Sequence, residues 1–386
     1  MNAERVLPKD ADRAVLVGRA WLGGDVEGPA PVLIRGEEVL DLSGVAPTVS
    51  HLLESHDARS LRGLSLLPAV GKVSELLAAS VPGSRRTRFL APVDLQPIKA
   101  SGVTFVQSLL ERVIEEQARG DPAKALSIRS RIDALFGGDL SRVRPGSEQA
   151  MKLKEALVAQ GAWSQYLEVG IGPDAEIFTK TAPMASVGIG AEIGILREST
   201  WNNPEPEIVL VANSRGEAVA ATLGNDVNLR DLEGRSALLL GRAKDNNASC
   251  AIGPFLRLFD EDFPVDEVRK AEIALTVEGE DGFRLEGASS MAKISRDPLE
   301  ILSHAAGPHH QYPDGLALFL GTMFAPVQDR DARGQGFTHH PLDIVMISTP
   351  SLGALVNRVR YCDEIAPWTF GTGALMTNLA RRGLLK

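Results

Sequence analysis

Pro204-Glu205-Pro206-Glu207-Ile208-Val209-Leu210-Val211-Ala212 leads into Asn213-Ser214-Arg215-Gly216. Glu217-Ala218-Val219-Ala220-Ala221-Thr222-Leu223-Gly224-Asn225-Asp226 then follows. Two apolar runs around a polar, Gly-containing turn predict a β-hairpin, with strands over 208–212 and 217–223 and a turn over 213–216. Side chains two apart on a strand share a face, so Glu205 and Glu207 project together. The hairpin carries Asp226 back beside them, and Lys244 follows in Arg242-Ala243-Lys244-Asp245. Three carboxylates converging on one point repel unless a cation lies between them. An all-oxygen set suits a hard ion such as Mg²⁺, Mn²⁺ or Ca²⁺. An isolated E-x-E is more often a solvated pair on an edge strand. The spaced Asp and Lys, in an apolar and Gly-rich setting, weigh against that alternative.

The rest of the chain narrows the function classes. Its 386 residues have room for two domains. The net charge of −9, with no Lys/Arg-rich run, argues against a nucleic-acid partner. No apolar stretch approaches the ~20 residues of a membrane span, and the first residues lack the apolar core of a signal peptide. Two cysteines, Cys250 and Cys362, form no disulfide framework, so a cytoplasmic location is expected. No histidine lies between His56 and His304, which leaves the carboxylate region without a local imidazole and disfavours a Cys/His zinc site.

Residues 1–95 read as a small N-terminal α+β domain. Strands are expected at Val15–Val17, Pro31–Ile34 and Val39–Leu40, with a short helix capped by Thr48 running through Leu53. The Pro-punctuated stretch Leu90–Pro97 marks the boundary, and 96–386 form the second domain. Helical spacing begins with Leu109, Leu110, Val113 and Ile114, interleaved with Glu111, Arg112, Glu115, Glu116 and Arg119. A second helix follows Asp121-Pro122, and a third runs near 148–160. The stretch Val187–Gly194 reads as strand. Further strands fall at Glu272–Val277, Leu316–Leu320, Asp343–Ile347 and Ala354–Val359. Strands without regular βαβ alternation give an α+β, β-rich class.

The order and spacing of several short motifs resemble the fumarylacetoacetate hydrolase superfamily. They are Phe178-x-Lys180, Pro204-Glu205-Pro206-Glu207, Gly224-Asn225-Asp226, Arg242-Ala243-Lys244 before Gly253-Pro254, Leu320-Gly321-Thr322, and Ser351 to Val359. The resemblance covers about two-thirds of the chain. It implies a mixed β-sandwich roll assembled as a homo-oligomer, either a dimer or a dimer of dimers. It also implies Mg²⁺, with Mn²⁺ as a substitute, held by Glu205, Glu207 and Asp226. Lys244 would line the site, Thr322 would bind the carboxylate of a 2-oxo acid, and Lys180 would contact substrate or support the site. From the residues alone, Gly321-Thr322 reads equally as an ordinary strand end.

One departure separates branches of the family. Hydrolases of the superfamily carry Asn-Tyr-x-x-His-x-x-Glu on a lid, and the corresponding stretch here is Thr104 to Glu111, with Ser108 in place of the histidine. Serine is no base at neutral pH, so water activation by that dyad is in doubt. Ser108 and Glu111 also fit a helix-opening capping box. The long N-terminal domain, Glu111 to Asp121 and Pro313 to Pro326 resemble bacterial 2-keto-3-deoxy-D-xylonate (2-dehydro-3-deoxy-D-arabinonate) dehydratases. The reaction implied is Mg²⁺-dependent dehydration of a 2-oxo sugar acid to 2,5-dioxopentanoate in non-phosphorylative pentose catabolism. Glu111 is expected to take the C3 proton. Lys244, protonated Glu111 or a water would assist departure of the C4 hydroxyl, and Ser108 would contact substrate. Two alternatives remain. One is an acylpyruvate or diketo-acid hydrolase, which would need a base from His304, His309 or His310. The other is a non-catalytic keto-acid or divalent-ion binding protein.

Overall fold

Pro206–Ala212 lies near the middle of a large sheet, and all seven of its residues are buried. Ile208, Leu210 and Ala212 pack into one apolar core, while Val209 and Val211 pack into another on the opposite face. A strand covered on both faces needs an unbroken apolar run, which is what 208–212 supplies. The strand pairs antiparallel with Ala218–Asp226, placing Glu207 opposite Gly224 and Pro206 opposite Asn225. The hairpin forms as the sequence predicts.

The structure is a computed structural model, and it describes residues 2–23, 27–125, 128, 143–159, 163–322, 324, 326 and 328–385. Its main sheet runs in the order Ala69–Lys72, Glu38–Asp41, Gly28–Arg35, Leu16–Leu22, Cys250–Leu258, Ala218–Asp226, Pro206–Ala212, Leu316–Phe319, Ile98–Gly102, Glu176–Thr181. All of these pairings are antiparallel except that of Leu316–Phe319 with Ile98–Gly102. Strands from residues 1–95 thus continue the sheet that carries the hairpin. A second sheet orders Arg284–Ser290, Glu272–Glu278, Ile344–Thr349, Gly353–Tyr361 and Glu192–Ile195. One core fills the space between the sheets, joining Ile208, Leu223 and Phe255 to Leu275, Ile347 and Leu355. The helices Val49–Ser55 and Ala58–Arg62 cover the outer face of the main sheet through Leu52, Leu53 and Leu61. This is a β-rich α+β sandwich.

Thr48 caps its helix as expected, its Oγ1 accepting from the His51 N–H at 3.0 Å. Helices form at Val106–Ala118 and Glu148–Ala159, and the expected end at residue 160 lies outside the described residues. Residues 122–125 are helical behind Asp121, whose Oδ1 accepts from the Ala123 N–H at 3.0 Å. The continuation of that helix also falls largely outside the described residues. Residues 187–194 do not form one strand. Val187 makes a single bridge to Ala251, and the chain turns before Glu192–Ile195. Among the described residues no helix is long and apolar enough to cross a membrane.

Candidate active site

Asp226 is the last residue of the returning strand, and two bonds hold Glu205 beside it. The Asp226 N–H donates to Glu205 O at 3.0 Å, and the Glu205 N–H donates to Asn225 Oδ1 at 3.0 Å. Glu205 itself precedes the strand, so these bonds set its place rather than strand geometry. Glu205, Glu207 and Asp226 are 4%, 2% and 1% exposed, and one carboxylate oxygen from each lies within 4.8 Å of the other two. Burial holds the Glu207 pKa well above the usual carboxylate range, and the charges of Asp226 and Glu205 push it further. A buried, all-oxygen, mutually repelling set is the donor chemistry of a hard divalent ion, and these residues fit Mg²⁺. Lys244 Nζ donates to Glu205 and, at 3.1 Å, to Asp226. Burial disfavours the Lys244 charge, but Asp226, Glu205 and Glu233 outweigh it and raise the pKa.

The strand end at Leu320 completes the wall. The Gly321 N–H donates to Glu207 Oε2 at 2.7 Å, with φ at +95°. A Cβ at that position would sit 2.1 Å from Thr104 Oγ1, so glycine is what lets this N–H reach the carboxylate. Thr322 and Ser108 line the same cavity. Thr322 Oγ1 donates to Phe324 O at 3.1 Å, and Ser108 Oγ donates to Phe105 O at 2.9 Å. With the side chains as they stand, the cavity offers about 20 Å³, room for one water or ion. Arg112 closes it, with Nη2 on Glu205 Oε1 at 2.5 Å and Nη1 on Glu115 Oε2 at 2.6 Å.

The probable 2-keto-3-deoxyxylonate dehydratase of Haloferax volcanii is 31% identical over 213 residues, which are 55% of this chain and 68% of that protein. The 2-dehydro-3-deoxy-D-arabinonate dehydratase of Saccharolobus solfataricus is 31% identical over 185 residues, 48% of this chain and 58% of that protein. A solved 2-keto-3-deoxy-D-arabinonate dehydratase complexed with magnesium and 2,5-dioxopentanoate superposes with a TM-score of 0.59 at 21% identity, covering 90% of this chain and 99% of that one. The fumarylacetoacetate hydrolase of Exiguobacterium antarcticum shares the fold, with a TM-score of 0.53 at 14% identity, over 90% and 100% of the two chains. This chain belongs to the family of the 2-keto-3-deoxyxylonate dehydratases. No family profile matches it.

In this dehydratase-family chain, four of the residues singled out from sequence meet the Glu205–Glu207–Asp226 set at one cavity or help to build it. Ser108, Lys244 and Thr322 line it directly. Lys180 does not reach it. Its ammonium is fully buried behind Asp226, 2.8 Å from Oδ1, and donates to the carbonyls of Lys244 and Val227. Glu111, expected as the base, is found paired with Arg230. Its Oε2 accepts from Arg230 Nη2 at 2.9 Å, and it does not line the cavity. The capping box does not form either. Phe105 is the N-cap, and Ser108 lies within the first turn.

Three residues escaped the sequence reading. Glu176 lines the cavity at the start of its strand, opposite Gly102 in register. A Cβ on Gly102 would lie 1.9 Å from Glu176 Oε2, so the carboxylate lies over the bare backbone there. Burial raises the Glu176 pKa, as do the charges of Glu205 and Asp226, and Arg112 and Lys244 oppose the rise. Residues 176, 178 and 180 share strand parity, and extending Phe178-x-Lys180 back by two would have found it. Glu233 and Arg112 also line the cavity, 2.8 Å apart. Burial pushes the Glu233 carboxyl up to about 7, helped by Glu205 and Glu115 and opposed by Arg112 and Lys244.

Proposed function

We propose that this chain dehydrates a 2-keto-3-deoxypentonate to 2,5-dioxopentanoate with Mg²⁺, or Mn²⁺ in its place, held by Glu205, Glu207 and Asp226. The observation that carries this reading is a buried carboxylate triad sharing its cavity with a second, electrically distinct carboxyl, Glu176, in a chain of the dehydratase family. A bound divalent ion supplies Lewis acidity at the C2 carbonyl, so that a C3 proton can leave.

The chain's own residues do the rest. Thr322 and the cationic Lys244 orient the C1 carboxylate, and Lys244 keeps its proton and offsets the triad's charge. Glu176 moves the proton. As carboxylate it takes the C3 proton, and as acid it returns that proton to the departing C4 hydroxyl, which leaves as water. A carboxyl with a raised pKa suits both halves of that exchange. Transfer of a C5 proton to C3 then gives the C4=C5 enol, and return of the enol O–H proton to C4 gives the C5 aldehyde. No water attacks carbon, so Ser108 in place of histidine leaves the reaction intact, and Ser108 contacts substrate instead. Glu111 holds Arg230, and Lys180 holds Asp226. Every cavity-lining residue lies within 96–386, which supports reading that segment as the catalytic domain and 1–95 as an accessory one. The working unit is a homo-oligomer in the cytoplasm.

The test is product identity. Purified protein, Mg²⁺ and a 2-keto-3-deoxypentonate should give an aldehyde-bearing 2-oxo acid by NMR. Cleavage of an acylpyruvate at a carbon–carbon bond, with no dehydration, would replace this reading by hydrolysis. Glu176→Gln should lower kcat by about 100-fold or more with Mg²⁺ affinity retained. Glu111→Gln should keep most turnover, and its loss, in a folded variant, would return the base to Glu111.

A further inference from the structure

Glu233 is a buried acid, ion-paired with Arg112, whose Oε2 makes no hydrogen bond. It ends the one-turn helix Arg230–Glu233, is 4% exposed and lines the cavity. That Oε2 lies 2.8 Å from Arg112 Nη1. The same guanidinium reaches Glu205 with its other terminal nitrogen, so it lies between the metal-ligand set and Glu233. With the 2-oxo acid end of the substrate assigned to the Glu205–Glu207–Asp226 set, Glu233 would face the other end, across Arg112.

The charge balance says what can bind there. Five carboxylates line the cavity, namely Glu176, Glu205, Glu207, Asp226 and Glu233, and two cations face them, Arg112 and Lys244. Acidic side chains outnumber the cations of the lining, and Lys180 behind Asp226 together with a divalent ion would offset part of that excess. Both cations are already engaged, Arg112 by Glu115, Glu205 and Glu233, and Lys244 by Glu205 and Asp226. A second carboxylate on the ligand would meet Glu233 with no uncommitted cation among the lining residues. A hydroxyl would meet an acceptor oxygen that lacks a donor. A site can select by such repulsion as much as by attraction.

Building on the dehydratase reading above, we infer that Glu233 is a specificity-determining residue. It accepts a hydrogen bond from a hydroxyl at the far end of a monoanionic 2-oxo acid and excludes 2-oxo acids that end in a second carboxylate. The test compares two five-carbon probes that differ at that end, 2-oxopentanoate and 2-oxoglutarate, by calorimetry on the full-length protein with Mg²⁺. The wild type should bind 2-oxopentanoate at least about tenfold more tightly. Glu233→Gln should tighten 2-oxoglutarate binding by about tenfold and raise KM for the hydroxylated substrate more than it changes kcat. Equal wild-type affinity for the two probes would overturn the inference, as would an unchanged ratio in a Glu233→Gln protein that melts cooperatively. If Glu233→Gln does not fold, the wild-type comparison decides alone. Calorimetry reads binding without turnover. A protein that prefers the monoanion but dehydrates nothing therefore breaks the functional reading and keeps this one, while a dehydratase with no preference does the reverse.

Discussion

Asp226 and Asp343 are both buried aspartates, 1% and 0% exposed, in ionic clusters built to opposite balances. Asp343 is saturated from within. Arg330 holds both its oxygens, at 2.8 and 2.6 Å, and His339 Nδ1 and the His340 N–H add contacts to Oδ2 at 3.1 and 3.0 Å. Asp226 instead shares Lys244 with Glu205, leans on Lys180 and lies beside Glu207, whose charge has no cation of its own among the described contacts. The first arrangement closes a loop onto the sheet. The second leaves acidic groups in excess, which a divalent cation would offset. A buried cluster that balances itself is a fastening, and one that does not is a site.

The sharpest way to break this contrast is to remove one charge from each cluster. Glu207→Gln keeps an acceptor for the Gly321 N–H and relieves crowding by Asp226 and Glu205. Mg²⁺ affinity by calorimetry should fall by at least about 100-fold, and the metal-free melting temperature should hold or rise. Asp343→Asn should do the opposite. Removing one partner of a buried pair costs about 3–5 kcal/mol, so the melting temperature should drop by several degrees with Mg²⁺ affinity unchanged. A Glu207→Gln protein that melts early, or an Asp343→Asn protein that loses metal, would collapse the distinction.

The two clusters also differed in how far the sequence disclosed them. The carboxylate triad was legible because the hairpin with its short turn is a local rule, although hydrogen bonds rather than strand parity set Glu205, and the burial of 206–212 on both faces follows from its unbroken apolar run. Asp343 was read only as the first residue of a strand, since its partner Arg330 lies in a loop with no periodic signal. Arg112 and Glu115 misled for a physical reason. A polar stripe on an amphipathic helix ordinarily faces water, but here it faces an ionic interior, and Glu115 is 2% exposed. The pairing of Glu111 with Arg230 was not legible, because motif spacing cannot show a partner 119 residues away. Glu176 lies two residues before the Phe178-x-Lys180 motif, and its pairing opposite Gly102 shows that it belongs to the cavity.

A smaller effect tests the edge of the open cluster. Thr322 Oγ1 is committed only to backbone, to Phe324 at 3.1 and 3.2 Å and to Pro206 O at 3.4 Å. In the proposed complex it turns to the substrate carboxylate. Thr322→Val should raise KM by about tenfold, the worth of one hydrogen bond to a charged group, while Mg²⁺ affinity stays put. An unchanged KM would leave the carboxylate to Lys244 alone.

The smallest effect belongs to the closed cluster in acid. Burial opposes ionisation of Asp343, but the hydrogen bonds from Arg330 and His339 and the His339 charge prevail and hold its carboxyl at about 2, against 3.8 as the ordinary value. A depressed carboxylate pKa means that the folded state binds its proton later than the unfolded one. The resulting stabilisation is therefore fully present above about pH 4 and is lost as pH falls through the folded value near 2. With allowance for screening it is on the order of 1–2 kcal/mol. Urea midpoints of the wild type and Asp343→Asn should accordingly converge between pH 5 and pH 2.5, on the scale set by those pKa values. A gap that stays constant over that range would mean that Asp343 contributes through packing rather than charge, and the closed cluster would no longer be the ionic counterpart of the open one.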